Sequence, residues 1–448
     1  MDQALESRIR ELAEEIWPSE SSAWRHPLTA LGRHQLGSLD GRPALRSALF
    51  RFVDAAPACR GPLDRGTHLR AFVREVDGER IPIVLRPLRG RGLVGPLLAA
   101  HGLVSGPATA LLARQFIAGR DVKDATRTLR AMWRRGQAFA LDLLGESTVS
   151  EAEAQAYLER CAETLRVLAD VTRAWPTRPI LDGDHHGRLA RASLSIKLTA
   201  LTPLLRPLAP DRGAVDAAGR LRPLLRLARE LGAHIHLDME DFDSRETLLL
   251  AFEEVLASEE FRDAPSVGVV VQAYLRDADE TLDRILSSPS LTGRAIPPTI
   301  RLVKGAYWDH ESVIAAQRGW EAPVWAEKHE SDACFERLTR RLIDARDSIR
   351  PAIATHNLRS LAHAIAYLDR RCGEPQEIEL QVLRGLGDEL AEAIARLGYR
   401  VRIYTPIGDL VAGMAYLVRR LLENSSNEGF LLRQRHQSLD ELLKTPLQ

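Results

Sequence analysis

From about residue 130 onward, short apolar or β-branched runs alternate with longer stretches in which apolar positions recur every three or four residues. The runs are Ala138–Leu144, Leu194–Leu198, His234–Met239, Val267–Tyr274, Thr299–Lys304, Ala352–Thr355, Ile378–Leu383 and Val401–Tyr404. Runs of about four to eight such residues read as strands, and the longer periodic stretches between them read as helices. Eight strand candidates separated by helices predict a (β/α)8 barrel. A doubly wound sheet is the competing fold. It would usually place a glycine-rich phosphate turn after its first strand, and Gly145-Glu-Ser-Thr148 is not such a turn. Residues 1 to about 125 read instead as helical and irregular, punctuated by Gly61-Pro62, Pro87 and Arg89-Gly-Arg-Gly92. The expected organisation is a helical region over 1–125, a barrel over 126–430 and a tail over 431–448.

Composition changes this picture little. The chain has 448 residues, 45% of them hydrophobic and 27% charged, which is ordinary for a globular protein with a large core. Its formal net charge is zero, and no basic stripe interleaved with aromatics is present, so no nucleic-acid partner is expected. Cys59, Cys161, Cys334 and Cys372 lie far apart without CxxC spacing. That argues against a zinc knuckle or a disulfide framework and fits a reducing cytoplasm. The N-terminus lacks an apolar signal core. The most membrane-like stretch, Leu93–Ala113, is interrupted by Pro96, His101 and Pro107, and predicts packed helices and a turn rather than a span.

The carboxyl ends of the strand candidates carry most of the chemistry: Lys197, Asp238 with Glu240, Gln272, Arg301 with Lys304, Thr355-His356-Asn357, Gln381 and Tyr404. Barrel enzymes build their sites at this rim, and a whole ring of such residues points to a catalytic or cofactor site. Its chemistry is open at this level. His234, His236 and Asp238 fall on one strand face, which suits a zinc-dependent hydrolase, although His234 also reads as a plain strand-entry residue. Lys304 suits a Schiff base, while its neighbours Gly305-Ala306 suit close approach by a flat cofactor. Near the C-terminus, Tyr416, Arg419, Arg420 and Glu423 crowd one side of a predicted helix. Two adjacent guanidiniums make a forked donor set for a carboxylate or phosphate; a solvated charged face is the plainer reading.

Taken together these segments resemble the proline dehydrogenase family, and most closely the proline dehydrogenase part of bacterial bifunctional proline-utilisation flavoenzymes. The matching blocks include Gln115-Phe-Ile-Ala-Gly119, Leu141-Asp-Leu-Leu-Gly-Glu146, Ser195-Ile-Lys-Leu-Thr-Ala-Leu201 and Arg301-Leu-Val-Lys-Gly-Ala-Tyr-Trp308. They continue with Ala354-Thr-His-Asn357, Gln381-Val-Leu-Arg-Gly385, Arg402-Ile-Tyr-Thr-Pro406 and Tyr416–Asn424, and span about 70% of the chain.

The resemblance implies a distorted (β/α)8 barrel, non-covalent FAD, and oxidation of L-proline to Δ1-pyrroline-5-carboxylate with electrons passing to a membrane quinone. It assigns Lys197, Arg419 and Arg420 to the substrate carboxylate, and Asp238, Leu383, Tyr404 and Tyr416 to the pocket around the ring. It assigns Gln272, Arg301, Lys304, Trp308, Thr355, His356, Asn357, Gln381 and Glu423 to FAD, and no residue to a metal. It further implies a cytoplasmic protein with peripheral contact at the inner face of the plasma membrane, and a pyrroline-5-carboxylate dehydrogenase, separate or fused, as partner. Arg384 and Leu386 depart from the expected Gln-x-Leu block and put the pocket rim in question. No ribbon–helix–helix segment is recognisable, so autorepression of transcription is not expected, and no aldehyde dehydrogenase half follows Gln448.

Overall fold

The computed structural model describes residues 2–17, 42–90, 95–145, 148–205, 207–409, 413 and 438–446. Eight parallel strands close into a barrel. They are β1 (Gln137–Leu143), β2 (Ser193–Lys197), β3 (His234–Asp238) and β4 (Ser266–Gln272), then β5 (Thr299–Val303), β6 (Arg350–Ala354), β7 (Glu379–Leu383) and β8 (Arg400–Ile407). Each strand pairs with its neighbours in sequence, and β8 closes on β1. The closure is uneven: β1 runs alongside β8 from Gln137↔Val401 to Leu143↔Ile407, but meets β2 only at Leu141↔Leu194 and Asp142↔Ser195. The barrel is therefore distorted at the β1–β2 seam.

Strand alternation sorts the side chains. Leu194, Ile196, Ile235, Leu237, Val269, Val271, Ile300, Leu302, Ile353, Leu380, Val401 and Ile403 are buried in the apolar core shared with the surrounding helices. The intervening positions point inward, and there the strands carry polar residues where a (β/α)8 barrel usually stacks branched aliphatics: Ser193, Ser195, His234, His236, Arg301, Glu379, Gln381, Arg400 and Arg402, all buried.

The helices have ordinary local causes. Ser150 and Glu153 form a reciprocal capping box before helix Glu151–Arg173, and Asn357 caps helix Leu358–Arg370 by accepting from the Ser360 N–H at 3.0 Å. Within the N-terminal region, helix Gln3–Ile16 joins the barrel core through Ile9, Leu12, Ala13 and Ile16. Helices Pro43–Ala55 and Pro62–Arg74 and part of Gly95–Phe116 build a separate small core around Leu45, Phe52, Leu69, Val73 and Leu98.

Leu93–Ala113 departs from expectation. Its described part lies in one continuous helix, Gly95–Phe116, rather than in helices broken by a turn. Pro96 sits in the first turn, where its missing N–H is not needed. Gly102 and Gly66 let this helix and helix Pro62–Arg74 cross in backbone contact: a Cβ on Gly102 would lie 1.7 Å from the Pro62 carbonyl oxygen. Among the described residues, no helix is long and apolar enough to cross a membrane.

Candidate active site

Strand register brings the strand-end residues together. Lys197 lies directly across from Asp238 in the β2–β3 ladder, and Leu383 across from Tyr404 in the β7–β8 ladder. Above them opens a cavity of about 1130 Å³. That exceeds the roughly 300–1,000 Å³ usual for a single small ligand. Lys197, Asp238, Gln272, Arg301, Lys304, Thr355, His356, Asn357, Gln381, Leu383 and Tyr404 all line it.

Asp238 is the hub. Its Oδ1 accepts from Arg301 Nη1 at 2.6 Å, its Oδ2 accepts from the Tyr404 hydroxyl at 2.6 Å, and Lys197 Nζ lies 4.0 Å away. Arg301 also donates to Ser195 Oγ at 3.2 Å, and its guanidinium lies 5.5 Å from the centre of the Tyr404 ring. Lys197 donates to Asp142 at the end of β1. Burial alone would depress the Lys197 ammonium. Asp142 and Asp238, with Glu240, outweigh that and hold its pKa above the ordinary lysine range. Lys197 is thus a fixed cation at neutral pH and cannot serve as a base. Burial, together with Asp142 and Asp238, keeps the Tyr404 phenol protonated.

A second group surrounds Lys304, which donates to Asp332; Lys328 Nζ donates to the same carboxylate at 2.8 Å. Burial pulls Lys304 down to about 8, against the attraction of Asp332 and with a further push from Lys328. Asp332, bonded by both ammoniums, stays below its ordinary value despite burial. The Gly305 next to Lys304 has its own cause. Its φ is +127°, and a Cβ there would lie 2.3 Å from the Tyr274 ring, so packing against tyrosine already requires glycine.

The remaining strand-end groups are held by short local bonds. The Leu383 N–H donates to His356 Nε2 at 2.8 Å, which fixes that ring as an acceptor. The Asn357 N–H donates to Thr355 Oγ1 at 3.0 Å, and Gln381 Nε2 donates to Glu379 at 2.7 Å. Gln272 Nε2 donates to the Glu240 carbonyl at 2.9 Å, while its buried Oε1 has no hydrogen-bond partner among the described residues. Glu240 accepts from the Thr199 hydroxyl, and burial raises its pKa.

Trp308 does not line the cavity: it begins helix Trp308–Arg318, stands 43% exposed, and donates its indole N–H to the Trp325 carbonyl at 2.8 Å. Tyr416, Arg419, Arg420 and Glu423 lie outside the described residues. The zinc reading of His234, His236 and Asp238 fails on geometry and charge. His234 bonds Ser266 at 2.9 Å and His236 at 3.3 Å, and Asp238 is taken by Arg301 and Tyr404. Burial, with Arg402 near His234 and Arg301 near His236, depresses both imidazoles and makes the position hostile to a dication. Among the described residues, donor atoms close enough to share a metal meet only at Cys59, Asp64 and His68, in the N-terminal region.

Several site residues escape a reading of the sequence. Asp142 and Ser195 sit inside strands already recognised, but their partners arrive from 55 and 106 residues away. Lys328 and Asp332 share a helix at i,i+4 spacing, which looks like any surface pair. Arg359 ties Glu336 to Glu6 of the N-terminal helix, through bonds of 2.8 Å to each, and donates to the Leu443 carbonyl at 2.9 Å. It thereby holds the Leu443 backbone, whose neighbours Leu442 and Lys444 line the cavity.

A closed parallel barrel whose strand ends converge on one large cavity defines a (β/α)8 protein, a class that builds its sites at the carboxyl rim. Comparison with known proteins gives the particular family. The proline dehydrogenase family model matches residues 125–433, and the chain belongs to that family. The model of the proline utilization A N-terminal domain matches residues 6–116.

Among curated relatives, the bifunctional protein PutA of Salmonella typhimurium is 32% identical over 347 residues, covering 75% of this chain and 25% of the relative. Proline dehydrogenase 1 of Bacillus subtilis is 28% identical over 330 residues, covering 72% of this chain and 91% of the relative. The crystal structure of proline utilization A from Bdellovibrio bacteriovorus inactivated by N-propargylglycine superposes with a TM-score of 0.84 at 33% identity. It covers 99% of this chain and 44% of that one. The chain thus spans about a quarter of the PutA sequence and under half of the PutA structure that it matches.

Proposed function

We propose that this chain oxidises L-proline to Δ1-pyrroline-5-carboxylate, using FAD held without a covalent bond in the barrel-mouth cavity. The observation that carries the reading is the Asp142–Lys197–Asp238–Tyr404–Arg301 cluster opening onto a cavity too large for an amino acid alone, in a member of the proline dehydrogenase family. The donor set fits a flavin dinucleotide. Gln272 offers a buried, unpartnered acceptor suited to a ring N–H, Arg301 a cation suited to an electron-rich ring, and Lys304 with Lys328 a pair suited to phosphate. Thr355, His356, Asn357 and Gln381 complete its walls in this reading. Bound FAD would supply the hydride-accepting chemistry for the proline ring, at flavin N5, and a membrane quinone would take the electrons.

The chain's own residues then bind and orient. Lys197, with Arg419 and Arg420, anchors the proline carboxylate; the three cations fix the direction in which the ring points. Leu383 and the faces of Tyr404 and Tyr416 exclude water from the ring, and Asp238 holds Tyr404 and Arg301 still. Glu423 completes the cofactor site in this reading, and Trp308, outside the cavity wall, bears on it only through its bond to the Trp325 carbonyl. Because Lys197 stays protonated, the ammonium proton of proline leaves to solvent water as the substrate binds rather than to a lysine base. The domain division is 1–125, 126–430 and 431–448, and the product passes to a pyrroline-5-carboxylate dehydrogenase, fused or separate. Contact with the inner face of the plasma membrane is peripheral.

The test is an anaerobic absorbance spectrum before and after L-proline. Oxidised-flavin bands that bleach support cofactor, substrate and reaction together. A protein that stays colourless after incubation with FAD overturns the proposal. Two variants sharpen it. Arg420→Ala is expected to raise the proline KM by about ten- to a hundredfold while flavin remains bound, since charge-assisted bonds are worth about 1.5–3 kcal/mol. An unchanged KM removes Arg420 from carboxylate binding. FAD affinity is expected to weaken as pH rises through about 8, where Lys304 loses its charge, and Lys304→Met should flatten that dependence. Equilibrium dialysis with FAD on either side of that pH checks it.

A further inference from the structure

Beneath the mouth cavity, the barrel floor encloses a separate space of about 20 Å³, lined by Ser193, His236, Arg350, Glu379, Arg400 and Arg402 among others. A volume of roughly 10–15 Å³ on this measure already admits one water-sized body. The charges around it do not balance. Arg350 grips Asp184 through two bonds of 2.6 and 3.1 Å, and Arg402 grips Glu379 through two of 2.7 and 2.9 Å. Arg301, a third guanidinium on the wall, is matched by Asp238. Arg400 is left to share carboxylates already engaged: its Nε lies 3.2 Å from Glu379 and its Nη2 4.0 Å from Asp184.

Donors are in surplus as well. Arg400 Nη1, Ser193 Oγ and His236 Nε2 have no hydrogen-bond partner among the described residues, and all three residues are at most 2% exposed. An excess guanidinium sealed from water is costly unless a counter-charge meets it, and a water dipole supplies a bond but no charge. The three residues that carry these unpartnered atoms all line one space of single-ion size.

We infer that the barrel floor binds one small monovalent anion, chloride in ordinary salt, held by Arg400 Nη1, Ser193 Oγ and the Nε2–H tautomer of His236. Nothing in the proposed redox reaction requires this site, so it stands or falls independently. The anion would complete the charge balance beneath Arg301, which lines both the floor space and the mouth cavity.

The test uses the whole chain with its bound cofactor. Crystals grown in sodium bromide should show an anomalous peak at the floor, within hydrogen-bond reach of Arg400 and His236. Floor density without an anomalous signal overturns the inference. In solution, thermal unfolding at fixed ionic strength should shift upward by a few degrees, saturably, as chloride replaces gluconate, which is too large to enter. Equal melting in the two salts overturns it. Arg400→Met removes the excess charge and should erase the chloride dependence while leaving proline-dependent flavin bleaching in place; a chloride shift that survives in this variant also counts against the floor site. Should that variant fail to fold, the bromide measurement on the unaltered chain decides the matter alone.

Discussion

Asp238→Ala is expected to destabilise the protein by about 3–5 kcal/mol and to reduce kcat/KM for proline by about a hundredfold or more. The stability loss follows from what the carboxylate holds. It pairs with Arg301, only 5% exposed, accepts the buried Tyr404 hydroxyl, and stands 4.0 Å from Lys197. Removing it leaves a buried guanidinium without its carboxylate, which is the expensive way to break an ion pair. The catalytic loss follows from position. Three groups that would bind substrate and cofactor are each oriented by this one side chain, and small displacements at a reacting centre cost large factors in rate. Asp238→Asn keeps one acceptor for Arg301 and an amide for the Tyr404 oxygen, so it should retain more stability than alanine. Urea unfolding with steady-state kinetics separates the two effects; an alanine variant as stable as the parent would show that Asp238 is not the hub.

Glu379 carries the comparable expectation on the barrel floor. It accepts from Arg402 at 2.7 and 2.9 Å and from Gln381 at 2.7 Å, and it lies 3.2 Å from Arg400. Burial pushes its carboxyl up, but Arg402 and then Arg400, with their hydrogen bonds, overcome this and bring it down to about 2. A depressed carboxyl contributes stability that is fully present above the unfolded value of about 4.3 and is lost as pH falls toward 2. Glu379→Gln should therefore lower stability at neutral pH by about 3–5 kcal/mol, because Arg402 and Arg400 lose their shared counter-charge. It should also flatten the pH dependence of unfolding between about 4.5 and 2. Denaturant melts across that window check both, and a variant with the parent's acid profile would assign the acid sensitivity elsewhere.

The barrel was legible because its outward strand faces are apolar and β-branched and the intervals between them carry helical periodicity. Every strand read from the pattern corresponds to an observed one, yet β6 starts at Arg350 and β8 runs from Arg400 to Ile407, past the boundaries expected. Those extra residues include Arg350, Arg400 and two prolines, and hydropathy cannot see that Asp184 pairs with Arg350 and that Glu379 lies against Arg400 inside the barrel. The strand-end candidates were legible for the same reason: strand direction sends them all to one rim. Pairing was not. Nothing local links Lys197 to Asp142 or Arg301 to Ser195, because the closure of the barrel, not sequence proximity, brings them within reach. Trp308 shows the converse: it follows a strand-end block, but it starts a helix, bonds the Trp325 carbonyl and does not line the cavity.

Arg359 also bears on the order of events during synthesis. Its carboxylate partner Glu6 precedes it by 353 residues, and its carbonyl partner Leu443 follows it by 84. Helix Gln3–Ile16 therefore waits for some 353 further residues to be made before its ion pair can form. Its apolar face, Ile9, Leu12, Ala13 and Ile16, stays uncovered for that time. At the usual rates of roughly 5–20 residues per second the wait is tens of seconds, long enough for such a segment to need shielding. The cavity wall beside Leu443 forms 84 residues later still, so a cofactor that needs this wall can be locked in only after that segment has emerged.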